Sequence, residues 1–181
     1  NDALANLLNS MGSVSKVILG IVLGGMMAID MGGPINKAAY VFGTMSIANG
    51  NYDIMAAVMV GGMVPPIGIA LATTFFKNRF SKSERQSGIT NYVMGLAFIT
   101  EGAIPFAAAD PLHVIPATAV GAAVAGALSM VFGCTLMAPH GGLFVFPVVG
   151  NWPMYLVALA AGSVITMFML ALLKKPVYKE N

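Results

Sequence analysis

Charged side chains are scarce in this chain. They make up 9% of its 181 residues, whereas hydrophobic residues make up 57%. A soluble domain is normally about a quarter charged, so this composition excludes an ordinary soluble fold. The mean hydropathy of +0.82 indicates an integral membrane protein. The net charge is only +2 and no basic stripe is present, which argues against a nucleic-acid partner.

Cysteine and histidine are also nearly absent. The single cysteine, Cys134, excludes an internal disulfide framework. The two histidines, His113 and His140, lie in unrelated contexts without the spacing of metal ligands. No phosphate-binding glycine loop and no Ser-His-Asp arrangement is legible either. We therefore predict neither a metal nor a cofactor.

Glycine and proline, in contrast, are abundant, with 21 and 10 residues, as is typical of broken helices and close backbone packing in membranes. The apolar stretch from Val17 to Ala48 would be about 48 Å long as one helix, against a hydrocarbon core of about 30 Å. We predict a break at Gly32-Gly33-Pro34. Gly20 and Gly24 predict the close approach of another helix. The stretch from Ile54 to Phe76 is uncharged and long enough to span.

The basic segments allow a count of crossings. Lys77 to Arg85 and the tail from Lys174 carry the Lys/Arg excess that marks the cytoplasmic side. Three apolar stretches, about 89–109, 117–137 and 154–173, lie between them. An even number must cross, so one does not. The first is the best candidate, because it is interrupted by Glu101, Gly102 and Pro105.

Glu101 is the main candidate for a functional residue in this sequence. An ionised carboxylate inside the membrane costs several kcal/mol unless it is paired or faces a cavity. Gly102 and Pro105 interrupt the helix, which is tolerated only where backbone is buried in protein or lines a wet site. We expect Glu101 at the tip of a re-entrant hairpin, in contact with a polar solute. The predicted fold is therefore all-α, with several membrane spans, broken helices and one or two re-entrant hairpins.

Few other polar groups interrupt the apolar sequence. They are Asp30, Asn36, Lys37, Asn91, Thr100, Asp110, His113 and His140. Asp30 and Lys37 have opposite charge and can pair across the first break. Asn36 can bind a sugar hydroxyl or satisfy broken backbone. His140, in Pro139-His140-Gly141-Gly142, is open to a functional or a structural reading, and this third break is either a loop or a second hairpin. A carboxylate, a histidine and an amide together suit a neutral polyol.

Several motifs carry a resemblance to a known family. They are Asp30-Met31-Gly32-Gly33-Pro34-Ile35-Asn36-Lys37-Ala38-Ala39, Gly62-Met63-Val64-Pro65-Pro66-Ile67-Gly68, Thr100-Glu101-Gly102-Ala103-Ile104-Pro105-Phe106-Ala107-Ala108-Ala109-Asp110-Pro111 and Pro139-His140-Gly141-Gly142-Leu143. Together and in this order, they resemble fructose-family enzyme IIC, the membrane permease component of the bacterial phosphotransferase system. Phe98 stands before Ile99-Thr100-Glu101 where the wider superfamily favours glycine.

The resemblance implies a multi-pass protein of the bacterial inner membrane that takes up fructose or a related hexose or polyol. A phosphocysteine-carrying enzyme IIB would phosphorylate the sugar. It also implies that residues 1–181 are one transport domain, with the soluble IIA and IIB domains and a dimer-forming scaffold half absent. Asn1, in place of methionine, suggests a cut piece. By the resemblance Glu101 binds sugar and can act as the base, and His140 binds sugar.

The remaining sugar-binding candidates are Asn36, Lys37, Thr100, Asp110 and Gly141. Two other functions stay open. In a proton-coupled secondary transporter, Glu101 and Asp110 would carry protons, and uptake would follow a pH gradient without a phosphoryl donor. In a structural membrane subunit, Glu101→Gln would change stability alone.

Overall fold

The computed structural model describes residues 13–29, 33–48, 52–76, 80, 82–97, 100–136, 149–150 and 152–173, with only the backbone at 13–16, 82–84, 100, 101 and 109. Its α-helices are α1 (Ser13–Ile29), α2 (Pro34–Ala48), α3 (Tyr52–Phe75), α4 (Lys82–Leu96), α5 (Ile104–Ala109), α6 (Pro111–Val131) and α7 (Trp152–Leu173). A 3-10 helix, Thr100–Ala103, precedes α5. Two short strands, β1 (Thr135–Leu136) and β2 (Val149–Gly150), pair antiparallel between α6 and α7.

The predicted all-α membrane fold is confirmed. Among the described residues, three helices, α3, α6 and α7, are long and apolar enough to cross a membrane. The central one is α3, whose side chains are almost all buried from Ile54 to Thr73. Its 24 residues extend about 36 Å, enough for the hydrocarbon core. It continues as one helix through Pro65 and Pro66.

Glycines let the helices approach closely and fix their directions. A Cβ at Gly20 would lie 2.6 Å from the Gly126 carbonyl oxygen, and Gly24 lies against Ala122, so α1 runs antiparallel to α6. A Cβ at Gly61 would lie 2.8 Å from the Cα of Gly24. The close approach predicted at Gly20 and Gly24 is therefore confirmed, with α6 and α3 as the neighbouring helices. Helices α6 and α7 are also antiparallel, through Gly121 with Gly162 and Ala117 with Thr166.

Helices α1 and α2 form the first hairpin. Helices α1 and α7 both run antiparallel to α6, so they are parallel to each other. Helix α3 is parallel to α7, with Gly68 against Thr166 and Val64 against Gly162, so α1 and α3 start at the same end of the bundle. Beyond Ile29 the chain turns back, because α2 ends at Ala48, only four residues before Tyr52, where α3 starts. The predicted break lies where expected, but the broken segment folds back on itself. Neither half, with 17 and 15 residues, has the roughly 20 residues that a span needs.

The second hairpin comes from the opposite end. Helix α4 runs antiparallel to α3, with Gly88 against Thr73 and Gly95 against Ile67 and Pro66. The chain then turns back, because Gly102 lies against Asn91 and Met94 of the same helix. Helix α6 starts at the end where α4 started. This is the stretch that the crossing count predicted not to cross, and its geometry is that of a re-entrant hairpin.

The boundaries of α6 differ from the predicted apolar stretch, 117–137. The helix begins at Pro111, since proline suits the first turn, where its missing N–H has no intrahelical role. It ends before Gly133, which has φ +68°. The N–H groups of Gly133 and Cys134 donate to the carbonyls of Met130 and Ser129 at 3.2 and 3.0 Å. This pair of bonds is the Schellman motif that closes a helix C-terminus.

Candidate functional site

The tip of the second hairpin carries Glu101. Thr100, Glu101, Gly102 and Ala103 form the 3-10 helix, and Pro105 lies in the first turn of α5. Gly102 is buried against α4, where a Cβ would overlap Asn91 Oδ1 and come within 2.8 Å of Met94 Sδ. Glycine is therefore required for the chain to turn back at this point. The side chains of Thr100 and Glu101 lie outside the described part of the structure.

Both hairpin tips reach the same depth along α3. In the second hairpin, Gly95 contacts Pro66 and Ile67. In the first, Gly24 contacts Gly61, and the end of α1 lies five residues farther along a parallel helix. Pro65 and Pro66 remove two backbone N–H donors from α3 at this level. Two helix breaks and a proline pair therefore share one depth in the interior of the bundle.

Asn36 lies in the first turn of α2 and is half-buried. Its Nδ2 donates a 2.9 Å hydrogen bond to the carbonyl oxygen of Met27, across the tip of the first hairpin. Of the two readings that the sequence left open, this bond is the one in which the amide satisfies broken backbone. Its binding of sugar stays a prediction.

Lys37 follows on the exposed face of α2. It lies at an apolar groove of about 580 Å³ between α1 and α2, which Val22, Met26 and Phe42 also line. Asp30, its expected partner, lies outside the described residues. The ion pair between them therefore stays a prediction, as does the binding of sugar by Lys37.

Asp110 separates α5 from α6, at the end of the bundle where the second hairpin starts. Its two carboxylate oxygens lie 2.8 and 2.9 Å from Nδ1 of His113. Both side chains are partly exposed, at 26% and 39%. The carboxylate therefore has a partner one turn away, and the six residues of α5 lie between it and the 3-10 helix of Glu101. His113 lies in the first turn of α6, at the same end of the bundle.

His140 and Gly141 lie outside the described residues, so their place in the site is a prediction. The structure does fix the two ends of the segment that contains them. Thr135 pairs with Gly150 and Leu136 with Val149. Leu136 and Val149 belong to the same buried cluster as Tyr155. Leu136 and Val149, the described residues on either side of this segment, thus lie side by side on the bundle.

The sequence reasoning gave Asn91 no role. This residue lies on α4 with 2% of its surface exposed, and its Nδ2 has no hydrogen-bond partner among the described residues. It packs on Gly102, the residue after Glu101. The signal available in the sequence was a lone amide in an apolar stretch, ten residues before Glu101.

Comparison with known proteins gives close relatives. The chain is 59% identical over 177 residues to the PTS system fructose-specific EIIABC component of Bacillus subtilis (strain 168), covering 98% of this chain and 28% of the relative. It is 58% identical to the fructose permease IIC component of Bacillus amyloliquefaciens, covering 98% of this chain and 58% of the relative. The Escherichia coli (strain K12) PTS system fructose-specific EIIB'BC component is 48% identical over 97% of this chain and 32% of its own length.

The chain thus spans between about a quarter and three fifths of the length of these relatives. No family model and no solved structure matches it.

Proposed function

Because the chain belongs to the fructose-specific enzyme IIC family of the phosphotransferase system, we propose that it is the sugar-carrying part of a fructose permease in the bacterial inner membrane. The observation that carries this proposal is the second hairpin, which brings the backbone of Glu101 to the middle depth of the bundle. A carboxylate at that depth needs a polar partner. A neutral sugar supplies hydroxyl donors without adding a second charge.

The proposed reaction moves a phosphoryl group from the phosphocysteine of an enzyme IIB partner to a fructose hydroxyl. The sulfur–phosphorus bond breaks, an oxygen–phosphorus bond forms, and the hydroxyl proton leaves. Glu101 accepts hydrogen bonds from the sugar and takes that proton as general base. The chain's own contribution is to position the hydroxyl and receive its proton, since the phosphoryl group comes from the partner.

The other proposed sugar-binding residues act around Glu101. They are Thr100, His140, Gly141, Asn36, Lys37 and Asp110. Thr100 precedes Glu101 in the same 3-10 helix, which supports it most directly. Asn36 and Lys37 lie in the first turn of α2, next to the tip of the first hairpin, which reaches the same depth. Asp110 is supported least, because His113 engages its carboxylate beyond α5.

The architecture that we propose for the complete protein is larger than this chain. Residues 1–181 would be one transport domain, joined to a scaffold half that forms a homodimer. The relatives' greater length supports this, as do the words EIIABC and EIIB'BC in two of their names, because they describe proteins with further components.

The test is Glu101→Gln in the complete natural polypeptide, with binding measured for a panel of hexoses and polyols. Glutamine keeps the shape but loses the charge-assisted part of each hydrogen bond, which is worth roughly 1.5–3 kcal/mol. Fructose affinity should therefore fall about tenfold to hundredfold. Phosphorylation by the IIB partner should fall further, because glutamine cannot take a proton. Glu84→Gln, in the first turn of α4 at the far end of the hairpin from its tip, is the matched control and should leave both values unchanged.

Two results would overturn the proposal. Wild-type fructose binding by Glu101→Gln would show that this carboxylate is not a sugar ligand. Uptake driven by a pH gradient in the absence of any phosphoryl donor would instead establish a secondary transporter.

A further inference from the structure

One buried amide lies close to the tip of the second hairpin. Asn91 is 2% exposed, and its Nδ2 donates to no acceptor in the part of the chain that the structure describes. An unpaired amide in a low-dielectric interior costs free energy. Tyr92, the next residue on α4, does have a partner, because its hydroxyl lies 2.7 Å from Thr74 Oγ1. A buried donor without a partner among the described residues at the hairpin tip therefore needs an explanation, and a functional role is one.

Asn91 lies directly against Gly102. Asn91 Oδ1 and Met94 Sδ lie so close to Gly102 that a Cβ there would overlap them. Gly102 follows Glu101 directly, and consecutive Cα atoms are about 3.8 Å apart. The unpaired donor thus lies beside the backbone that carries the proposed sugar ligand.

The chemistry of a sugar hydroxyl explains why the two residues belong together. A hydroxyl donates one hydrogen bond and accepts two, whereas an ionised carboxylate only accepts. Glu101 can take the hydroxyl hydrogen but leaves the hydroxyl oxygen without a donor. An amide N–H supplies that donor. We propose that Asn91 is a further sugar-binding residue, whose Nδ2 donates to the oxygen of a hydroxyl that Glu101 contacts.

This inference rests on the proposed function and adds a specificity determinant to the same site. In the present structure Nδ2 is covered by protein, so the sugar reaches it when the tip shifts. At the tip, Gly102 has no side chain and lies against Asn91 and the flexible side chain of Met94. The unbound protein bears the cost of the unpaired donor. A ligand that relieves this cost binds more tightly for that reason.

The experiment compares Asn91→Leu with wild type in the complete natural polypeptide. Leucine has a similar size and no polar atoms. Fructose affinity should fall about two- to tenfold, which is the worth of one neutral hydrogen bond. Thermal stability should stay equal or rise, because an unpaired buried amide has been removed. A structural role would instead lower stability and affinity together.

Ser163→Ala is the matched control. Ser163 on α7 is also buried, at 1% exposure, and its Oγ has no partner within the described residues. Its removal should leave stability equal or higher and fructose affinity unchanged. A loss of fructose affinity in this variant comparable to that of Asn91→Leu would overturn the inference, since the effect would then not depend on the hairpin tip.

A series of monodeoxy fructose analogues identifies the contact. For one analogue, wild type and Asn91→Leu should bind equally, because the hydroxyl that Asn91 contacts is gone. An equal loss for every analogue would show that Asn91 acts without touching the sugar, and unchanged fructose affinity in Asn91→Leu would show that it does not act at all. Either result overturns the inference. The proposed function fails separately, if Glu101→Gln binds fructose normally.

Discussion

The Nδ2 atom of Asn36, in the first turn of α2, donates a 2.9 Å hydrogen bond to the carbonyl oxygen of Met27, in the last turn of α1. Helix α1 ends at Ile29, so this carbonyl is one of the last four, which have no intrahelical donor. One side chain thus caps the end of one helix and joins it to the next. The first hairpin owes part of its tight return to this bond.

Asn36→Leu should therefore destabilise the protein. The substitution keeps the size but leaves the Met27 carbonyl without this donor, at a cost of about 1–2 kcal/mol. Thermal unfolding in detergent measures it as a lower midpoint temperature. Ser46→Ala is the matched control. Ser46 Oγ bonds to the carbonyl of Phe42 within its own helix, so its loss should change the midpoint little. Equal midpoints for wild type and Asn36→Leu would show that the cap is dispensable.

Gly24→Ala and Gly25→Ala should differ although the residues are adjacent. A Cβ at Gly24 would overlap the backbone of Ala122, whereas one at Gly25 would meet only the Ala119 carbonyl at 4.0 Å. Both variants gain the same helix propensity from alanine. The difference in stability between them should therefore be about 1–3 kcal/mol, the usual cost of overpacking. Gly25→Ala should be neutral or stabilising. Equal stabilities would mean that α1 and α6 separate without cost.

Labelling with membrane-impermeant reagents should find two basic segments on one face. The rings of Phe76 and Phe168 are 6.0 Å apart, so α3 and α7 end at the same end of the bundle. In a Cys134→Ser background, Gln86→Cys and Lys174→Cys should both react from the cytoplasmic side. Ala48→Cys, exposed at the end of α2, should react from the opposite side. Labelling of Gln86→Cys and Lys174→Cys from different faces would contradict the second hairpin.

Cys134 should react slowly in the native protein. Burial raises the pKa of its thiol above the ordinary value, and the residue is fully covered. The reactive thiolate is therefore scarce at neutral pH. Maleimide labelling near pH 7 should be slow in the folded protein, faster as the pH rises, and rapid after unfolding in detergent. Rapid native labelling at pH 7 would show that this end of α6 opens.

Some helices and their contacts could be predicted from the sequence, and others could not. The absence of charge between Ile54 and Phe76 was enough to predict α3. Gly20 and Gly24 predicted a close helix contact without revealing that α6 and α3 supply it. The crossing count identified the stretch that turns back. The number of crossings between two segments on the same side of the membrane must be even, so one of the three apolar stretches could not cross. For α1 and α2 the length predicted a break, but no count of crossings applied there. The return of the chain was therefore missed.

Some features of the candidate site could likewise be predicted from the sequence, and others could not. The placement of Glu101 in a broken helix followed from Gly102 and Pro105 alone, because their backbone limits are local. Asp110 and His113 are three residues apart, so their contact could also have been predicted from the sequence. For Asn91 the sequence shows only a lone amide in an apolar stretch. Its burial against Gly102, with no partner for Nδ2 among the described residues, depends on how α4 packs.

By itself, the sequence determined that this is an all-α membrane protein, where its helices break and which glutamate interrupts them. Hydrophobic length and local backbone chemistry are properties of short segments, so they can be read along the chain. Only the tertiary structure decided that two hairpins enter from opposite ends and stop at the depth of Pro65 and Pro66 on α3. The depth of each tip is set by the glycines at which two helices pack closely. These contacts join residues far apart in the chain, so they cannot be read from short segments of the sequence.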